Sequence, residues 1–319
     1  MRPATLQPEP LDLAIFQEMS GGWAISLPGI DPRLNPTRIA RRLRVGRARV
    51  ARRLKAWSDA GFLLRYDVWL NPALFGAVGA FYSVRVDRPG AKLGLLSRFG
   101  LLDGAVSGME FLGEWVTFSG VVSDASEFER VRELLRGFEG VREVTPPDPW
   151  PVVEPRRKLT PLDVRILRAL RRAPRATLGT IAARAGISAR TMTRRYGELI
   201  DDHAAWFVPV FDFRAVSSPL VSLLVTLAPG RSPTALLQGI RDRYPLVLEF
   251  AGSDSGDAAG PTPRAFIVLP PSAAHLEELD RHVAGLDGVV AEESNVMVRM
   301  HTFPAWFDRR LAEAAAPRP

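Results

Sequence analysis

The chemistry most visible in this sequence is that of guanidinium groups. Residues 37–57 read TRIARRLRVGRARVARRLKAW, with eight Arg, one Lys and no acid. A guanidinium presents N–H donors in a planar fork that matches phosphate oxygens and the O6/N7 edge of guanine. A second stretch, TIAARAGISARTMTRRYGEL at 180–199, repeats the pattern with fewer charges. Residues 35–60 carry nine basic side chains and one acid, and residues 156–202 carry twelve basic and four acidic. Each segment is therefore +8 in a chain whose total is +7, so everything else together is −9. The basic residues are 39 Arg and 3 Lys, a bias that composition alone could produce. Composition does not, however, sort charge into two segments of an acidic chain.

The elements that must position these side chains are helices. In the second copy Thr160 can cap a helix that starts at Pro161, and Leu162, Ile166, Leu167 and Leu170 give it one apolar face. A second helix is expected from about Leu178 to Ala185, a turn at Gly186-Ile187, and a third helix capped by Ser188 with Met192, Tyr196 and Leu199 inward. The first copy matches. It has a helix at about Leu11 to Met19, another from Pro36 to Leu43, the turn Arg44-Val45-Gly46, and a third from Arg47 to Ala60 with Val50, Leu54 and Trp57 inward. Two helices joined by a short turn form a helix-turn-helix. FLLRYDVWLN (62–71) and AWFVPVFDF (205–213) are apolar extended segments that suit a winged hairpin.

A shift of 142 residues superimposes Ile39-Ala40 on Ile181-Ala182 and Arg52-Arg53 on Arg194-Arg195, and a shift of 148 superimposes GFEGV on GLDGV. The chain is thus read as two copies of one unit. After each helix-turn-helix the pattern alternates strand, helix, strand, strand, helix, strand, the ferredoxin-like order. The expected class is α+β: tandem winged helix-turn-helix domains, each followed by a ferredoxin-like βαββαβ domain. The boundaries are 1–72 and 73–147 for the first copy, a Pro-rich linker at 148–158, 159–214 and 215–302 for the second, and a tail at 303–319. The segment 21–36 between the first two helices has no assigned role.

In a helix-turn-helix the third helix enters the major groove and its N-terminal residues meet base edges. The outward positions there are Arg47, Arg49, Arg52 and Arg53 in copy one, and Arg190, Thr191, Arg194 and Arg195 in copy two. Arg42 and Arg44 are placed for phosphates, contacts that set affinity and salt dependence without reading sequence. Other chemistry has little support. The chain has no Cys, no Gly-rich phosphate loop and no G-x-S-x-G, and its His (203, 275, 282, 301) are scattered. No metal site, cofactor or enzymatic activity is expected. Asp254 and Asp257, in a Gly-rich loop, read as solvated, and Trp115, Phe118, Phe250 and Phe266 as core or sheet-interface residues. No apolar run reaches membrane length and the start has no apolar leader, so a cytoplasmic protein is expected.

The motif IA-x-x-x-G-[IV]-S-x-x-T-[VM]-x-R-R, matched by TIAARAGISARTMTRRYGEL and more loosely by RIARRLRVGRARVARRLKAWSDAGFL, resembles the Lrp/AsnC (feast/famine) family of transcription regulators. The resemblance covers nearly the whole chain, although only the helix-turn-helix motif is specific. It implies double-stranded DNA as partner, self-association through the ferredoxin-like sheets, and an amino-acid-like effector bound between those domains. Gly113, Glu114 and Trp115 fall where that family's effector-binding turn lies, with Val116 in place of the usual Asp. Two unlike recognition helices in one chain imply an asymmetric DNA site, its half-sites one helical turn or a multiple apart. Siroheme decarboxylases are similar in layout and are the rival reading. They want His and Arg in the ferredoxin-like cleft, where residues 104–122 and 246–270 offer only Arg264. A protein-docking module is the third reading.

Overall fold

The computed structural model describes residues 5–20, 36–149, 154–156, 158–252 and 262–315. The expected linker at 150–153, the segment 21–35, and Asp254 and Asp257 lie outside the described residues.

The first copy runs α1 (Pro10–Ser20), α2 (Pro36–Leu43), α3 (Arg47–Asp59), β1 (Leu63–Leu70), β2 (Val78–Val86), α4 (Lys92–Phe99), β3 (Ala105–Phe111), β4 (Trp115–Val122), α5 (Phe128–Arg136), β5 (Val141–Val144) and a short β6 (Asp148–Pro149). The second runs α6 (Pro161–Arg172), α7 (Leu178–Ala185), α8 (Ala189–Asp201), β7 (Ala205–Phe211), β8 (Leu220–Leu227), α9 (Pro233–Arg243), β9 (Val247–Gly252), β10 (Thr262–Val268), α10 (Leu276–Ala284) and β11 (Val289–Thr302). The fold is α+β, with the tandem arrangement of winged helix-turn-helix and ferredoxin-like parts. Residues 305–315, read from the sequence as a tail, form α11 (Ala305–Ala315), which buries Trp306, Phe307 and Leu311.

Compactness does not follow chain order. One unit joins α1–α3 with residues 211–299, and the other joins residues 65–210 with 300–319. Each thus combines the helix-turn-helix of one copy with the ferredoxin-like part of the other. In the first unit the strands run β11-β8-β10-β9, with Phe266 opposite Leu223. Val221, Leu223, Val225, Ile240, Phe266, Leu279 and Val283 form its core between the sheet and α9 and α10. The helix-turn-helix joins through aromatics. Phe62 stacks on Phe211 at 4.7 Å, and Phe211 lies 5.0 Å from Phe16. Trp57 meets Phe62 edge-on at 5.1 Å. Burial of such rings contributes roughly 2–3 kcal/mol each.

In the second unit the order is β5-β2-β4-β3, with Tyr82 opposite Phe118. Both sheets have the ferredoxin-like order, in which the first and third strands are central. The core comprises Tyr82, Val84, Leu95, Leu96, Phe99, Val116, Phe118 and Leu135. The expected wing hairpins are replaced by single strands. β1 pairs with β7, so each helix-turn-helix is followed by one strand that finds its partner in the other copy. The backbone N–H of Asn71 donates to the Ala204 carbonyl, and the buried Asn71 amide donates to the His203 carbonyl. A lone two-stranded pairing of this kind satisfies backbone groups that a bare extended segment would leave open.

Candidate nucleic-acid interface

The two recognition helices are built differently at their starts. In copy two, Ser188 caps α8 by accepting the Thr191 backbone N–H at 3.1 Å, and Gly186 takes the left-handed turn at φ 64°. In copy one the residue types are interchanged. Arg44 adopts the left-handed conformation at φ 54°, and Gly46 occupies the cap position of α3 with no side chain to accept a bond. A side chain there costs about 1 kcal/mol, and the missing cap a further ~1 kcal/mol. The turn therefore holds an exposed Arg at a backbone position that glycine would satisfy.

Arg42, Arg44, Arg47, Arg49 and Arg52 are exposed on α2, the turn and α3. Arg42 reaches Glu18 at 2.6 Å, and Arg49 stands 4.0 Å from Glu9. Arg47 and Arg52 make no ion pair among the described residues. On α8, Arg190 is exposed, and Arg194 is exposed and paired with Glu198 at 2.5 Å, an i,i+4 contact within the helix. Thr191 is half-buried with its hydroxyl 2.9 Å from that of Ser188. Surface pairs of this kind are worth a few tenths of a kcal/mol and yield to a phosphate.

Arg53 and Arg195, expected among the outward residues, turn inward instead. Arg53 donates through Nε to Asp12 Oδ1 at 2.8 Å and through Nη1 to Glu9 at 2.9 Å. The Asp12 hydrogen bond holds its guanidinium above the usual range despite partial burial. Asp12 also accepts the buried Trp57 indole N–H at 2.7 Å. In copy two Arg195 stands 3.7 Å from Asp163, which has no exposure, and 3.3 Å from Glu198. Asp163 closes a capping box, accepting the Thr160 backbone N–H at 2.9 Å and its hydroxyl at 2.6 Å. Each Arg thus pins a recognition helix to the first helix of its own copy. The periodicity contains the signal: Arg53 is three residues after the buried Val50 and four before the buried Trp57.

At the expected effector turn, Gly113 takes φ 83°. Glu114 accepts from Arg85 Nε at 2.7 Å and lies 4.0 Å from Arg142. Trp115 is half-buried with the Arg85 guanidinium 6.0 Å from its ring. Two cations, a carboxylate and an aromatic face are therefore gathered at one edge of the sheet.

One cluster escaped the sequence reading. Lys92, buried at the start of α4, donates to the Phe111 carbonyl and lies 3.9 Å from Glu110. Burial pushes its ammonium below the ordinary lysine range, with Glu110 opposing. His301, near the end of β11, stands 3.7 Å from Glu110. The reading that this cleft lacks His searched only the local strands, while the fold brings one from 191 positions further along the chain.

A family model for a winged helix-turn-helix DNA-binding domain matches residues 159–203. No curated protein matches the sequence. A crystal structure of the siroheme decarboxylase NirDL is similar over 96% of this chain and 98% of its own, at TM-score 0.50 and 13% identity. Its co-complex with an iron-uroporphyrin III analogue covers 97% and 100% at TM-score 0.49 and 12% identity. The structure of E. coli AsnC covers 48% of this chain and 97% of its own at TM-score 0.29 and 14% identity. The second copy therefore carries a winged helix-turn-helix DNA-binding domain. The full-length likeness overturns the expectation of a non-enzyme, because the same tandem architecture at the same length is that of an enzyme. Among the described residues no helix is long and apolar enough to cross a membrane.

Proposed function

We propose that the chain is a sequence-specific DNA-binding transcription regulator of Lrp/AsnC type, whose α3 and α8 read unlike half-sites. The observation that carries this reading is the exposed guanidinium set Arg47, Arg49 and Arg52 at the start of one recognition helix, matched by Arg190 and Arg194 on the other. Arg42 and Arg44 supply phosphate contacts, and the half-buried Thr191 lies beside the second reading edge. An amino-acid effector suits the Glu114 edge. Arg85 and Arg142 attract its carboxylate, Glu114 its ammonium, and Trp115 its side chain. Self-association through the ferredoxin-like sheets belongs to the same reading. Selection from random duplex DNA tests it. An enriched asymmetric motif is expected, and a best site that is a perfect palindrome contradicts two unlike readers in one chain.

A second reading is tetrapyrrole chemistry of the siroheme-decarboxylase kind. The Lys92–Glu110–His301 cluster favours it. Loss of CO2 from a side chain requires a proton at the carbon left behind, and His301 or Lys92 can hold one. Incubation with siroheme, followed by absorbance and CO2 release, tests this reading. His301→Ala and Lys92→Met should abolish turnover, and absence of both spectral change and CO2 dismisses it.

A further inference from the structure

In the second unit, a cavity of about 460 Å³ is lined by α6, β1 and the segment leading into α11. Its walls differ in character. Trp69, Phe303 and Phe307 supply aromatic surface, and Arg168, Arg171 and Arg172 supply positive charge. Arg171 is built into the wall. Its side chain is 8% exposed, lies 5.3 Å from the Phe307 ring centroid, and donates to Asp308 at 2.7 Å, to the Pro304 carbonyl at 3.1 Å and to the Val68 carbonyl. The acids at the rim are already engaged: Asp308 by Arg171, and Asp67 by Arg65 at 3.1 Å and by the Thr302 hydroxyl. Arg168 and Arg172, one helical turn apart and exposed, make no ion pair among the described residues. The field in the cavity is therefore that of two uncompensated guanidinium groups facing an aromatic wall.

We propose that this cavity binds a small organic anion with a planar apolar body, an aromatic carboxylate, its ring against Trp69 and Phe303 and its carboxylate on Arg168 and Arg172. The volume suits such a ligand, and paired guanidinium groups match a carboxylate better than lysines do. The site belongs to the second copy alone. Aligned on Pro-Leu-Asp at 10–12 and 161–163, α1 carries Gln17 and Ser20 where α6 carries Arg168 and Arg171. Asp163, at the far end of α6, holds Arg195 of the recognition helix α8. Occupancy of the cavity thus bears on one reading head and not the other. That consequence rests on the DNA-binding reading, whereas the binding itself does not.

Titration calorimetry on the full chain tests the site, with phenylpyruvate as probe, its methyl ester as the uncharged control and acetate as the ringless one. Phenylpyruvate should bind, and both controls should bind at least about tenfold more weakly. Arg168→Gln with Arg172→Gln should cost about tenfold or more in affinity, and Arg168→Lys with Arg172→Lys should restore part of it. Both positions are exposed, so an unchanged melting temperature of the empty variants confirms the fold. No heat at millimolar phenylpyruvate, or equal binding by the double Gln variant, overturns the proposal. If binding holds, footprinting with and without phenylpyruvate should alter protection at the half-site read by α8 alone. Failure of that last arm with binding intact removes the coupling and leaves the site.

Discussion

Arg53 and Asp12 form the joint between the recognition helix of the first copy and the helix that precedes it. The guanidinium closes on the carboxylate through two nitrogens, and the carboxylate simultaneously accepts the Trp57 indole. Both partners are largely buried, so removing the cation leaves a carboxylate with too few donors. Arg53→Ala should lower stability by about 3 kcal/mol. Arg52→Ala, one residue away on the exposed face, should stay within about 0.5 kcal/mol. Urea unfolding of the two variants checks the contrast, and equal losses would refute the inward assignment.

The interchange of residue types at the two turns predicts a stabilising change. Arg44→Gly should relieve the left-handed strain and strengthen the first helix-turn-helix by about 1 kcal/mol. Gly46→Ser should add a similar amount by capping α3 as Ser188 caps α8, since Gly46 has extended φ and open space at its Cβ. Hydrogen exchange of the α2–α3 amides measures both, and faster exchange in either variant contradicts the account.

Lys92 predicts an alkaline pH dependence. Its ammonium is held below the ordinary 10.5 by burial, so the folded chain releases that proton before the unfolded chain does. Between the folded value and 10.5 the unfolded chain binds more protons, and stability therefore rises with pH across that window. Lys92→Met should remove this rise. An alkaline limb identical in the two proteins would show that Lys92 titrates normally.

Much of this was legible in the sequence. The helix-turn-helix boundaries followed from caps and the 3.6-residue period: Thr160, Thr177 and Ser188 each cap as their residue types dictate. The ferredoxin-like order followed from alternating strand and helix patterns. The features that stayed hidden depend on partners remote in sequence. Nothing local says that β1 would pair with β7, or that His301 would approach Glu110. α11 has the apolar spacing of Trp306, Phe307 and Leu311, but only its packing on α6 makes that spacing meaningful. Arg53 and Arg195 were misplaced because a residue on the rim of a helix's apolar face reads as exposed until a buried Asp is known to face it.

The most direct test of the central claim is the salt dependence of affinity for a duplex carrying the enriched site. It should be measured for the parent chain, for Arg47→Ala/Arg49→Ala/Arg52→Ala and for Arg190→Ala/Arg194→Ala. Each lost phosphate contact should lower the slope of log affinity against log salt by roughly 0.9, so both variants should show shallower lines. Each should also lose discrimination in its own half of the site. Unchanged slopes and unchanged preference in both variants would mean that these guanidinium groups do not meet DNA.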